Sequence, residues 1–205
     1  RHVINPKTGW ADGRHQNRKW ENNLDLVHRK SYITEGATCH YTWYVPQNVE
    51  GLFQVINNSG QNVITRLDRM FDEGLYWHGN EPCHQIAYLY NKAGAPWKTQ
   101  QRIHHILNTE YNDTPGGLSG NDDAGQMSAW YMFSAIGFYP VCPATPYYYI
   151  GTPSFDKVTF NLENGRKFEI VAEGVDDENF YIQQVDLNGK SGYYLSHDDL
   201  IHYTS

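Results

Sequence analysis

The sequence predicts a mainly α protein with an antiparallel β module behind it, and three observations carry that reading. Apolar residues recur at spacings of three and four in separate stretches between Pro46 and Ile136. Gly and Pro break those stretches with short connections, as in an antiparallel helical array. After Pro146 the period changes to two, and Asn-Gly pairs stand between the alternating runs.

Residues 1 to about 30 are polar and show no sustained period, so they are expected to be loop with short turns packed on a neighbouring element. Ser31 to Tyr44 follows without a clear period. Pro46 suits the first turn of a helix carrying Val49, Leu52, Phe53 and Ile56, which Asn58-Ser59-Gly60 ends. A second helix, from about Gln61 to Glu73, places Ile64, Leu67, Met70 and Phe71 on one face, and Gly74 stops it. Pro82 opens a third, to about Lys92. Gly94-Ala95-Pro96 precedes a fourth, from about Lys98 to Tyr111, with Ile103, Ile106 and Leu107 inward. The fifth follows the Gly-rich loop of NDTPGGLSGNDDAGQMSAWYMFSAIGFYPVCP. There Asp122 is the expected N-cap, and Asp123 is expected in the first turn, where the helix dipole favours negative charge. Gln126, Trp130 and Phe133 follow at helical spacing, and Gly137 suits the C-cap. YYYIGTP, FDKVTFNL, RKFEIVAEG and FYIQQVDLNGK read as strands. Glu163-Asn164-Gly165 and Leu187-Asn188-Gly189-Lys190 are hairpin signals. A boundary is expected near residue 145, dividing helical residues 1–145 from β residues 146–205.

A net charge of −7 and no Lys/Arg cluster argue against a nucleic-acid partner. No apolar run approaches the roughly 18 residues that span a membrane. The chain opens mid-pattern on RHVINPKTGW and stops at HYTS after a strand-like run, so it is expected to be part of a larger protein. Six Trp and sixteen Tyr suit sugar faces, whose C–H surfaces pack on aromatic rings, and equally suit cores and interfaces. Three cysteines, Cys39, Cys83 and Cys142, are neither a disulfide framework nor a zinc site, although one bridge with a leftover thiol stays open.

Three carboxylate positions stand out, each just before a predicted helix on alternate connections, which would gather them at one end of the array. Glu35 lies in ITEG beside apolar and aromatic residues. A carboxyl in such surroundings has its pKa raised by desolvation and keeps the proton a general acid needs. The plain alternative is an exposed loop glutamate. Asp122 and Asp123 are adjacent, so one can face a cleft as a general base while the other caps the helix; alternatively both are caps or surface charges. Glu81, with Asn80, offers hard oxygen ligands suited to Ca²⁺ or Mg²⁺ rather than zinc. No P-loop, G-x-S-x-G or H-E-x-x-H is present.

Taken together, TEGATCHYTWYVPQNVEGL, GNEPCHQIAYLYNKAGAPWKTQ, YNDTPGGLSGNDDAGQMSAWYMFSAIGFYPV and YYYIGTPSFDKVTF resemble the C-terminal half of glycoside hydrolase family 92, calcium-dependent exo-acting α-mannosidases. The likeness runs from about Thr8 to the C-terminus. It implies part of an (α/α)6-type helical toroid followed by an antiparallel β-sheet or sandwich layer. The family's N-terminal β-sandwich domain and first helices would lie outside this chain. The resemblance also implies hydrolysis of terminal α-linked mannose in glycans by inversion, in which one carboxylic acid protonates the leaving oxygen and a carboxylate activates water on the opposite face. Glu35 matches the acid; the Asp pair supplies the base, with Asp123 favoured over Asp122. The two carboxyls are then expected to converge at roughly 6.5–9.5 Å. Trp77, His78, Asn80 and Gln126 are the candidate substrate contacts. Glu81, with Asn80, is the candidate protein ligand of Ca²⁺, which is implied to hold mannose O2 and O3 and help flatten the ring. A secreted or periplasmic location follows from the family alone. One departure concerns the wall beside the acid: after TEG an Asn-Ala-Trp-Gln-like run is expected, and Ala37-Thr38-Cys39-His40 stands there. Two other function classes compete, a mannose-binding module without turnover and a structural fragment that completes a longer enzyme.

Overall fold

The computed structural model describes residues 3–21, 23–187, 189 and 191–202. The chain divides into two compact units, one ending at Ile86 and the other beginning at Ala87.

In the first unit, residues 3–21 and 23–37 form loops and turns with isolated bridges, Ile4 to Ala11 and Arg14 to Trp20. They pack through a few buried anchors. Arg66, 3 % exposed, donates from Nη2 to the Thr8 carbonyl at 2.7 Å and lies over the Trp10 ring at 4.2 Å. The unassigned Ser31–Tyr44 stretch contains a short helix, α1 (Thr38–Thr42). It is a hydrogen-bonding hub. Thr38 donates to the Asp25 carbonyl, and Thr42 accepts from the Ala11 amide. The next two helices follow the sequence reading. A 3-10 turn at Pro46–Asn48 leads into α2 (Val49–Asn58), whose N-cap Asn48 accepts from the Gly51 amide. Helix α3 (Val63–Asp72) is capped by Asn62 through the Thr65 amide. Its buried face is Val63, Arg66, Leu67 and Met70, with Ile64 and Phe71 at the margin.

The third predicted helix is broken. Residues 81–92 form two 3-10 turns, Glu81–Cys83 and Ile86–Tyr88, before α4 (Leu89–Lys92). Cys83 through Tyr90 are all buried, so no solvent-facing stripe fixes a helical register. Side chains there occupy backbone acceptors, as where Gln85 Nε2 donates to the Trp43 and Pro82 carbonyls.

In the second unit, α5 (Pro96–Thr109) starts two residues before the expected Lys98, because Pro96 fits its first turn. Helix α6 (Gln126–Ile136) ends at Gly137, whose φ of 104° closes the helix and turns the chain into β1 (Phe138–Tyr139). Strands β1, β2 (Tyr147–Ile150) and β5 (Tyr194–Ser196) form an antiparallel sheet in the order β1-β2-β5. The change from helix to strand thus falls inside this unit, since β1 pairs with β2 across residue 145. The predicted hairpin forms from β3 (Lys157–Asn161) and β4 (Lys167–Val171), in register from Asn161–Lys167 to Lys157–Val171, with Gly165 at φ 80° in its turn. Phe138, Phe168 and Leu195 make a core joining sheet and hairpin, flanked by Phe133, Phe160, Ile170, Leu187 and Leu200. A short helix, α7 (His197–His202), follows β5.

The predicted strand FYIQQVDLNGK is not one over residues 180–186, which join no ladder. The chain there bonds sideways to side chains, the Ile182 amide donating to Gln100 Oε1 at 3.0 Å. Asn188 and Lys190 of the second hairpin signal lie outside the described residues. Cys39, Cys83 and Cys142 are free thiols. No helix among the described residues is long and apolar enough to cross a membrane.

Candidate active site

Glu35, Trp77, His78, Asn80 and Glu81 belong to the first unit, and Asp122, Asp123 and Gln126 to the second.

The TEG and GNEP motifs, 45 residues apart, meet directly: Asn80 Nδ2 donates to Glu35 Oε2 at 3.0 Å. Asn80 is 3 % exposed and caps the turn that Glu81 opens. Glu35 itself is exposed, so the desolvated surroundings expected for the acid are not present within this unit. Tyr41 lies on α1, six residues after Glu35. Its phenol is held above the ordinary value, first by burial and then by the Glu35 carboxylate, with a smaller push from Glu81. Tyr41, Glu35 and Glu81 therefore sit in one electrostatic neighbourhood.

His78 is buried behind this turn, its Nδ1 2.7 Å from the Tyr76 hydroxyl, and burial pushes its pKa down to about 3. His84 Nε2 donates to the His78 carbonyl at 2.9 Å and so fixes the backbone two residues before Asn80. Trp77 is 42 % exposed, with the His40 ring at 6.0 Å.

The donor chemistry suits a hard cation. Asn80 Oδ1 is buried and accepts no hydrogen bond from the described residues, and Glu81 follows it directly. Two such oxygens fall short of the six to eight that Ca²⁺ takes, so substrate, water or other segments would supply the rest. Among the described residues no group of three His, Cys, Asp or Glu side chains is placed to hold a metal.

In the second unit the Asp pair divides its work. Asp122 is not the formal N-cap of α6, which is Gly125. It caps from further upstream: Asp122 Oδ1 accepts from both the backbone amide and the hydroxyl of Ser128, each at 2.9 Å. The loop reaches back because three successive residues are left-handed, Asp123 at φ 48°, Ala124 at 57° and Gly125 at 96°. Asp123 therefore stands before the helix rather than in its first turn, exposed, with its side chain making no hydrogen bond or ion pair among the described residues. Left-handed backbone costs a residue with a Cβ roughly 1–2 kcal/mol, and such strain is characteristically retained where it aims a functional group. Gln126, the first residue of α6, reaches the Tyr139 hydroxyl at 3.5 Å. Behind it Trp130 packs on Tyr111, Tyr88 and Tyr139.

One cavity of about 650 Å³ lies beside His15 and Trp20, and another of about 540 Å³ lies between the hairpin and residues 179–187. Neither is lined by Glu35, Glu81, Asp122 or Asp123. Sequence reading gave no role to the His40 ring or to Tyr41, Tyr76, His84 and Ser128; His40 and His84 act on backbone carbonyls, while Tyr76 and Ser128 hold the side chains of His78 and Asp122.

Comparison with known proteins places these features in a family. Residues 1–204 match the Glycosyl hydrolase family 92 catalytic domain. A family GH92 α-mannosidase from Bacteroides thetaiotaomicron superposes with a TM-score of 0.87 at 44 % identity, covering 97 % of this chain and 27 % of that one. A family GH92 inverting mannosidase from the same organism gives 0.89 at 34 % identity, covering 99 % of this chain and 31 % of that one. A curated relative from Arthroderma benhamiae, called an uncharacterized secreted glycosidase, is 32 % identical over 72 % of this chain and 19 % of its own length. The chain thus spans less than a third of each of these relatives, and it belongs to glycosyl hydrolase family 92.

Proposed function

We propose that this chain is part of an exo-acting α-mannosidase that releases terminal α-linked mannose from glycans with inversion. The observation that carries the reading is the match of residues 1–204 to the family 92 catalytic domain. It is supported by two relatives named as mannosidases, one of them inverting.

Glu35 acts as the general acid that protonates the leaving oxygen, and Asn80 orients its carboxyl through the 3.0 Å hydrogen bond. Asp123 acts as the general base that takes a proton from the attacking water. The division of labour with Asp122 supports this choice, because the Asp122 carboxylate is engaged in capping α6. Trp77, exposed beside the acid loop, offers its face to a sugar ring, and Gln126 and His78 are the remaining proposed contacts, His78 acting from behind the turn. Asn80 Oδ1 and Glu81 would hold Ca²⁺, which would supply a positive charge for binding the hydroxyls of the sugar. The name of the Arthroderma relative supports a secreted location.

The test is mannose release from an α-mannoside by the full-length protein. Asp123→Asn should abolish turnover even with a good leaving group; Asp122→Asn abolishing it in a normally folded enzyme would move the base to that residue. Glu35→Gln should slow a substrate with a poor leaving group most. Full activity after chelation would remove the calcium assignment. For the chain alone, its span of 27–31 % of the solved mannosidases favours a fragment that needs the rest of the enzyme for turnover.

A further inference from the structure

We propose that His40 is a positioning residue for Glu35, a neutral imidazole that clasps the acid loop to the segment Leu75–Asn80. The inference rests on the reading of Glu35 as the general acid.

Two partners fix the state of the ring. The Ala37 amide, which can only donate, points at Nδ1 at 3.0 Å. The Leu75 carbonyl, which can only accept, lies 2.8 Å from Nε2. The proton is therefore on Nε2 and Nδ1 is bare. The ring is 8 % exposed, and Gly36 makes space for it: a Cβ built on Gly36 would stand 2.6 Å from Nδ1.

These bonds close a circuit around the acid. From Glu35 the backbone runs two residues to Ala37, through the imidazole to Leu75, then along the chain to Asn80, whose amide returns to Glu35 Oε2. The main chain and the carboxyl of Glu35 are thus tied to the same segment from opposite ends. Without the imidazole, the Ala37 amide loses its partner, the Leu75 carbonyl keeps only the long 3.9 Å contact from Cys39 Sγ, and the loop carrying the acid loses one of its two ties. A general acid is sensitive to this, since a displacement of about 1 Å can cost on the order of 10²-fold in rate.

The experiment uses full-length enzyme and two aryl α-mannosides, one with a good and one with a poor leaving group. Glutamine supplies one acceptor and one donor at similar reach, whereas leucine fills the space and supplies neither. His40→Leu should lower kcat on the poor leaving group by about 10²-fold, with a much smaller loss on the good one. His40→Gln should restore the first to within a few-fold of wild type. General loosening of the fold would slow both substrates alike and would not depend on leaving-group ability, and that result overturns the proposal. So does wild-type behaviour of His40→Leu. Should His40→Leu not fold, His40→Asn decides: it keeps both groups but is one methylene short, and must show the same leaving-group dependence. Glu35→Gln is run alongside. If it leaves the poor leaving group unaffected, the acid assignment falls and the role of His40 with it; if it behaves as expected while the His40 variants do not, the clasp alone is wrong.

Discussion

Asp122 and Asp123 are adjacent and alike in charge, yet one is bound into the start of α6 and the other stands free of it. Loss of Asp122 should therefore appear in stability. Asp122→Ala is expected to lower the unfolding free energy by about 1 kcal/mol, the usual cost of a lost helix cap, measured by urea titration. Asp123→Asn should be close to neutral in the same titration, because Asn tolerates left-handed backbone; its effect belongs to turnover. His40 gives a pH test. Burial holds its folded-state pKa below the ordinary 6.5, so the unfolded chain binds a proton that the native state refuses. Its contribution is complete above 6.5 and is lost as pH falls below that value, at up to about 1.4 kcal/mol per pH unit. His40→Gln, which cannot titrate, should flatten this part of the stability–pH curve; an unchanged slope would mean that His40 is not held neutral. At this scale the candidate carboxylates were legible from their motifs. The Leu75 partner of His40 was not, because its nearness is set by folding rather than by spacing.

Helices α2, α3 and α5 were legible because each presents an apolar stripe on one face and a cap or breaker at its ends, and α6 because Gly125 and Gly137 bound an apolar run. The stretch from Glu81 to Lys92 lacked that contrast, being buried all round, and the periodicity concealed two breaks. Residues 180–186 show the reverse error: their alternation suits a strand, but a strand needs a partner ladder, and the chain there bonds to Gln100 and stacks Phe180 on His104 instead. Short α1 had too few residues to show a period at all. Gly137 gives an element-scale test. Its φ of 104° and the 2.7 Å approach of Pro153 Cγ to a built Cβ leave no room for a side chain at the junction of α6 and β1. Gly137→Ala should destabilise by more than about 1 kcal/mol, read as a shift of the urea midpoint. A neutral result would mean the junction relaxes freely.

The two units differ in how they are held together. The first hangs much of its irregular chain on buried polar anchors such as Arg66, Thr42 and His40. The second is organised on aromatic packing, with Trp130 fully buried against Tyr88, Tyr111 and Tyr139. Trp130→Ala should cost about 3–5 kcal/mol, the range for a buried tryptophan replaced by a cavity; a loss under 1 kcal/mol in a denaturant titration would contradict that packing. The sequence by itself determined the family, the mainly α character with its β hairpin, and the acidic residues that carry the proposed chemistry, because motifs, amphipathic periods and turn residues are local properties of the chain. Tertiary structure alone decided that Glu35 and Asn80 touch, that Asp123 stands before α6 rather than in its first turn, and that an imidazole ties the acid loop down. Those outcomes turn on hydrogen bonds between groups up to 45 residues apart, whose geometry exists only once the backbone between them has folded.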